Sequence, residues 1–259
     1  MPGRQLRWLL IGNSRWHWAL ADADRGVTDP PLRFLHLPPP PSSTRTAAVD
    51  PPLAWAAVGP VPPQAGLSAA TRLGLADVPL ADVPPWLGID RALAGWWASR
   101  LANGPVLVAD AGTVLSLTRV DGRGRFAGGR LMAGAALQLR AMGSGTQGLP
   151  CLEGDLVAAD GSGDAWPRAT EAAMRQGVAE GLAAAVLEAG RQARALEVGC
   201  RIVLTGGDGE ILLPLLRRSS DLGEAVLLHR PDLCLEALVA LCPRPPDGSA
   251  QARPRSSRI

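Results

Sequence analysis

Val106-Leu107-Val108-Ala109-Asp110-Ala111-Gly112-Thr113-Val114-Leu115-Ser116-Leu117 is an apolar run that ends on a carboxylate, turns through glycine and begins again. The β-branched, apolar residues before Asp110 read as a buried strand, and Val114 to Val120 reads as its hairpin partner. Asp110 has no cationic neighbour in the sequence. A carboxylate at a strand end can hold a metal ion. Gly112 lets backbone N–H groups approach a phosphate, and the Thr113 hydroxyl adds a donor. Asp and Gly are also ordinary turn residues, so the stretch alone fits a plain hairpin as well.

Working outward, the same arrangement recurs near the N-terminus. Leu6 to Ile11 and Trp16 to Leu20 flank the tetrapeptide Gly12-Asn13-Ser14-Arg15, again strand, polar turn and strand. Two such units about 100 residues apart predict a duplicated α/β architecture in which each half opens with a phosphate-facing hairpin. Residues 28–65 are dense in Pro and include Pro38-Pro39-Pro40-Pro41, which predicts an extended surface excursion. Within it, Leu53 to Val58 reads as a short strand ending at Gly59-Pro60. Asp90 to Ala102 reads as a helix leading into the Asp110 strand. Ala169 to Leu196 is a long Ala-rich helical stretch with Gly177 and Gly181 spaced for close packing. Arg201 to Thr205 reads as a buried strand running into Gly206-Gly207-Asp208, followed by helices at Glu210 to Arg217 and Leu233 to Cys242. Pro, Ser and Arg from 243 to 259 predict a disordered tail.

A chain of 259 residues with 47% hydrophobic and 19% charged residues is long enough for one large domain or two lobes with buried cores. Eight Trp, two Phe and no Tyr leave the core to Ala, Leu and Val. A formal net charge of +2 provides no global field for nucleic acid, and Arg253, Arg255 and Arg258 concentrate part of it in the tail. Cys151, Cys200, Cys234 and Cys242 form no CxxC pair, which suits free thiols in a reducing compartment. The early apolar stretch is broken by Gly12, Asn13, Ser14 and Arg15, and no window reaches the ~18 to 20 apolar residues of a membrane span. The expectation is a cytoplasmic protein with no membrane or nucleic-acid partner. The three His are scattered along the sequence, and His17, between Trp16 and Trp18, reads as a structural histidine and not a ligand.

Four glycine-marked segments call for one explanation: Ile11-Gly12-Asn13-Ser14, Gly88-Ile89-Asp90-Arg91, Asp110-Ala111-Gly112-Thr113 and Thr205-Gly206-Gly207-Asp208. Phosphoryl transfer needs such a set. Small residues let backbone donors reach phosphate oxygens, an acid holds a cation, and a base orients the attacking hydroxyl. No GxxxxGK[ST] run is present, and no GxGxxG opens a helix after a strand. Singly, Asp90 also suits a helix N-cap, Thr170-Glu171 a helix start, and Gly206-Gly207 a strand-to-helix turn.

Taken in order, these segments resemble type III pantothenate kinases, within the acetate and sugar kinase, Hsp70 and actin superfamily. The resemblance also runs through Ala56 to Pro62, Gly128 to Gly134, Leu149-Pro150, Thr170 to Met174 and Pro231 to Leu238. It implies two actin-like (ribonuclease H-like) lobes, each a mixed sheet flanked by helices, at residues 1–105 and 106–242, with ATP between them. It implies ATP-dependent phosphorylation of pantothenate, the first step towards coenzyme A. Asp90 would be the general base, with Arg91 orienting substrate or offsetting charge. Asp110 would hold a cation, and the resemblance implies a monovalent ion such as K+ or NH4+ alongside Mg2+. Gly12, Asn13, Ser14, Gly112 and Thr113 would meet phosphate, and Gly206 and Gly207 would border the nucleotide. Gly88 and Thr170 would contact pantothenate, Thr170 in the partner's site of a homodimer.

One position departs from the family pattern. The Asp expected two residues before the first glycine, in an Asp-x-Gly-Asn-Thr hairpin, is Leu10 here, while Ser14 keeps a hydroxyl. Leucine binds no cation. The alternative reading is therefore a relative with weakened catalysis that serves as a ligand-binding or regulatory protein. Another sugar or small-alcohol kinase on the same fold fits the phosphate motifs but not the pairing of Gly88 to Arg91 with Thr170.

Overall fold

The computed structural model describes residues 5–22, 32–40, 51–152, 156, 165–218 and 226–243. Two sheets share one plan. In the first, β1 (Gln5–Ile11) lies between antiparallel β2 (Trp16–Asp22) and parallel β4 (Ala54–Ala57), and β3 (Arg33–Leu37) pairs with the far side of β2. In the second, β5 (Val106–Ala111) lies between antiparallel β6 (Val114–Val120) and parallel β8 (Arg201–Thr205). Outside these run β7 (Phe126–Ala133) and β9 (Leu227–His229). The orders are β3-β2-β1-β4 and β7-β6-β5-β8-β9, so each sheet is a three-strand meander extended by parallel strands. This is the duplicated α/β plan that the two hairpins predict.

Among the described residues five α-helices join the sheets: α1 (Ile89–Ala102), α2 (Ala135–Gly145), α3 (Thr170–Leu196), α4 (Gly209–Arg217) and α5 (Leu233–Leu241). The two-residue period of a strand sends alternate side chains to opposite faces. On β5, Leu107, Ala109 and Ala111 enter a core with Val178, Leu182 and Val186 of α3 and Leu212 of α4. Val106 and Val108 enter another, with Leu93 of α1, Leu233 and Leu238 of α5, and Leu6, Trp8 and Leu10 of β1. Asp110 continues this second face, so Leu10 and Asp110 both face the layer formed by α1 and α5. The opposite face of β1 buries Leu9 and Ile11 against Trp16 and Trp55. The last helix thus returns to the first sheet, and Trp8 Nε1 donates to the Cys242 carbonyl at 2.8 Å.

Within the Pro-rich stretch 28–65 the described residues include regular structure. Arg33–Leu37 is a regular edge strand, because this five-residue stretch contains no Pro and an edge tolerates the prolines that flank it. Residues 28–31 and 41–50 of that excursion, and 244–259 of the tail, lie outside the described residues. Among the described residues no helix is long and apolar enough to cross a membrane.

Candidate active site

The two hairpins meet at their tips. Ser14 Oγ and Thr113 Oγ1 lie 2.7 Å apart in a hydrogen bond that links turns from different sheets. Asn13 lies beside the end of β4, its Oδ1 3.8 Å from where a Cβ on Gly59 would stand. The turn after β8 packs on the same place: Asp208 N donates to the Ala111 carbonyl at 2.9 Å. Gly206 has φ +90°, and a Cβ there would lie 2.5 Å from both Asp110 Oδ1 and the Ala111 carbonyl oxygen. Only glycine permits that conformation and that approach together. Gly207 is open on the outer side, so the first, third and fourth segments converge on the Asp110 turn.

The second segment arrives on α1. Gly88 is the N-cap and no side chain caps this helix, so Asp90 stands inside the first turn and is not the cap that the sequence also allows. Its Oδ1 accepts from Arg91 N at 2.8 Å, and a Cβ on Gly88 would lie 2.5 Å from the same oxygen. Arg91 reaches the other way, donating from Nε to Thr118 Oγ1 at 3.0 Å. Thr118 is a buried polar residue on β6. Gly129 of β7 makes room for that guanidinium, since a Cβ there would collide with Arg91 Nη2 and the Leu117 carbonyl.

Electrostatics bind Asp90 and Asp110 into one unit. Burial, reinforced by the charge of Asp90, raises the Asp110 carboxyl to about 7. Burial also raises Asp90, against the backbone hydrogen bond and charge of Arg91 that pull it down. Cys234 of α5 joins this cluster, its thiol donating to the Asp90 backbone carbonyl at 3.5 Å and pushed well up by burial and by the charges of Asp110 and Asp90. Among the described residues no donor reaches the Asp110 carboxylate. Two neighbouring buried acids, of which only Asp90 has the Arg91 guanidinium as a charge partner, suit a cation, the group that relieves both. Yet no three His, Cys, Asp or Glu converge as a metal cluster among the described residues. A cation here would need further ligands, such as phosphate oxygens and water.

Thr170 stands apart. It is exposed at the first position of α3, and no hydrogen bond joins it to Asp90 or to the hairpins. Sequence reasoning missed Thr118, Gly129 and Cys234, whose roles depend on contacts across 27 or more residues. It also treated the His residues as scattered. His17 and His36 instead face each other on β2 and β3, Nδ1 to Nδ1 at 2.7 Å, and His36 Nε2 lies 3.0 Å from Asp232 Oδ1. A strand hidden in the Pro-rich segment made that pairing unreadable.

Known proteins resemble this chain over most of its length. A family model described as type III pantothenate kinase matches residues 68–192, which include Gly88 to Arg91, Asp110 to Thr113 and Thr170. A type III pantothenate kinase of Synechococcus elongatus is 36% identical over 245 residues, covering 89% of this chain and 96% of that protein. Another, of Synechococcus sp. strain JA-3-3Ab, is 37% identical over 227 residues, covering 84% and 86%. Among solved structures, the activator of the 2-hydroxyisocaproyl-CoA dehydratase from Clostridium difficile with bound ADPNP matches with a TM-score of 0.49 at 8% identity, covering 92% of this chain and 93% of that one.

Proposed function

The chain belongs to the type III pantothenate kinase family, and on that premise we propose that it transfers the γ-phosphoryl group of ATP to the primary hydroxyl of pantothenate where its two hairpin tips meet. The observation that carries this reading is the convergence of Ser14, Thr113, Asp110 and the Gly206 turn from two sheets, with Asp90 and Asp110 close enough for their charges to interact.

Asp90 acts as the general base. One of its oxygens is held by Arg91 N, which fixes the carboxylate, and burial raises its proton affinity towards the range useful at neutral pH. As the pantothenate oxygen bonds to the γ-phosphorus, the bond to the β,γ-bridging oxygen breaks. ADP leaves with that electron pair and the hydroxyl proton passes to Asp90. Arg91, anchored by Thr118, orients the substrate and offsets the charge of Asp90. The hydroxyls of Ser14 and Thr113, Asn13, and the backbone at Gly12 and Gly112 receive phosphate oxygens, and Gly206 and Gly207 border the nucleotide. Asp110 holds a cation. When bound, Mg2+ with ATP and a monovalent ion such as K+ or NH4+ offset phosphate charge and favour ionised carboxylates.

The two sheets form the cores of two lobes, with the chain passing from one to the other near residue 105. The second lobe builds a homodimer in which Thr170 serves the partner's pantothenate site. Support for this comes from the open space beside Gly177 and Gly181 and from Leu131 of β7, which is 61% exposed.

Transfer of labelled γ-phosphate from ATP to pantothenate, with Mg2+ and with or without K+, tests the reading. Wild type forms phosphopantothenate, and Asp90→Asn, folded by circular dichroism, loses about 10²- to 10⁴-fold in kcat. No product from folded wild type would assign the chain to ligand binding without turnover.

A further inference from the structure

Trp86 ends the run Pro84-Pro85-Trp86 just ahead of the Gly88 cap of α1, and it is 71% exposed. A lone apolar side chain on a surface is ordinary. This one is held in place and has particular neighbours. The strap that carries it is tied down on both sides. Ala81 N donates to the Gly124 carbonyl at 3.3 Å and Phe126 N to the Ala81 carbonyl at 2.8 Å, while Leu87 N closes a turn on the Pro84 carbonyl at 3.0 Å. Two prolines fix φ within that strap, so the indole is presented with little backbone freedom left to lose on meeting a ligand.

The indole meets the Phe126 ring edge to face, with centroids 6.3 Å apart and an interplanar angle of 84°. Phe126 opens β7, and the Arg91 guanidinium lies over its ring, Cζ 6.0 Å from the centroid. Thr118, Arg91, Phe126 and Trp86 thus form one row from buried β6 to the surface. Only Nε of Arg91 is committed, to Thr118; Nη1 and Nη2 make no hydrogen bond among the described residues. Those two groups form a planar fork that matches a carboxylate. Pantothenate carries a carboxylate at the end opposite its primary hydroxyl.

We propose that Trp86 covers the carboxylate of pantothenate where that group rests on the Arg91 fork, which makes Trp86 a specificity-determining residue for the acceptor. The inference rests on the reading of Asp90 and Arg91 as the acceptor site. A half-buried guanidinium pairs weakly while water and salt reach the pair. An indole laid over the pair displaces that water and strengthens the attraction. Phe126 already supports the plane of the guanidinium, so cover, and not orientation, is what Trp86 adds. Binding should then favour an acceptor with a carboxylate over a neutral one, and should resist salt.

The full chain and its Trp86→Ala and Trp86→Phe variants are compared by their KM for pantothenate and for the analogue in which hydroxymethyl replaces the carboxylate, with NaCl varied at fixed K+. Trp86→Ala should raise the KM for pantothenate about tenfold at ~0.5 M NaCl and less at ~0.05 M, with kcat near wild type and the KM for the neutral analogue unchanged. Trp86→Phe should recover most of the loss. Acrylamide quenching reads the cover without turnover: pantothenate should shield one of the eight tryptophans in wild type and none in Trp86→Phe. A Trp86→Ala variant with the KM and salt response of wild type overturns the proposal, as does an equal rise for both acceptors, which a merely structural role would give. A variant that sediments as a smaller species than wild type overturns it too, since Trp86 would then be a contact between copies. If Trp86→Ala does not fold, the quenching decides, and absence of shielding in wild type is the result that overturns. Folded wild type that neither turns over pantothenate nor binds it in calorimetry removes the acceptor and this inference with it, whereas turnover with Trp86 unshielded removes the inference alone.

Discussion

Asp110 shows how one side chain exchanges stability for chemistry. Its carboxyl keeps a proton up to about 7 in the folded chain, whereas in an unfolded chain an Asp loses it near about 3.9. Between those values the folded state binds more protons, so the stability this group contributes is fully present below the lower value and falls as pH rises through the higher one. Asp110→Asn removes that loss. In nucleotide-free protein its Tm should exceed wild type above pH 7 by a few degrees (roughly 2–4 °C per kcal/mol at this chain length). The difference should shrink towards pH 4, and the variant should lose its rate response to K+ and Mg2+. A wild type as stable as the variant at pH 8 would show that Asp110 pays no such penalty. The carboxylate itself was legible in the sequence, because an acid closing an apolar strand is conspicuous. Its pairing with Asp90 was not, since the two are brought together by α1 packing on β5 and β6.

Among the elements, β7 carries the clearest consequence. It passes so close to β6 that Gly129 leaves room for the Arg91 guanidinium, which is tied to Thr118. Gly129→Ala should displace Arg91 and raise the KM for pantothenate by tenfold or more with a smaller change in kcat. Thr118→Val, which keeps the shape and removes the acceptor, should raise the same KM to a lesser degree. Equal KM values in both variants and wild type would detach Arg91 from the substrate. The hairpins, α1, α3 and β8 were readable within a residue or two, because each is a long periodic run bounded by Gly, Asn or a turn. β7 was not, since Gly128 and Gly129 break the pattern of a strand that is held by pairing with β6. β3 hid between prolines, and β9, only three residues long, carries too little sequence to read.

At the scale of the molecule, the layer of α1 and α5 belongs to both sheets. One core contains Leu6, Trp8 and Leu10 of the first sheet, Val106, Val108, Val120 and Val203 of the second, and Leu233, Leu235 and Leu238 of α5. A core shared in this way predicts that both sheets melt together. Calorimetry should show one cooperative transition, and Leu235→Ala should lower the whole of it by about 2–5 kcal/mol. Two separated transitions, with only one moved by Leu235→Ala, would show that the sheets fold independently.

The bond between Ser14 and Thr113 lets the two hairpin tips satisfy each other. A hydroxyl has one proton to donate, and here one of the two is already committed to the other. The same two groups are those expected to receive phosphate, so nucleotide arrival and separation of the hairpin tips become a single exchange of partners. A neutral contact of this kind is worth about 0.5–1.5 kcal/mol, and no ionic atmosphere weakens it. The rim should therefore open readily and indifferently to salt, so that any ionic-strength dependence of nucleotide capture comes from the approach of the phosphates and not from the latch.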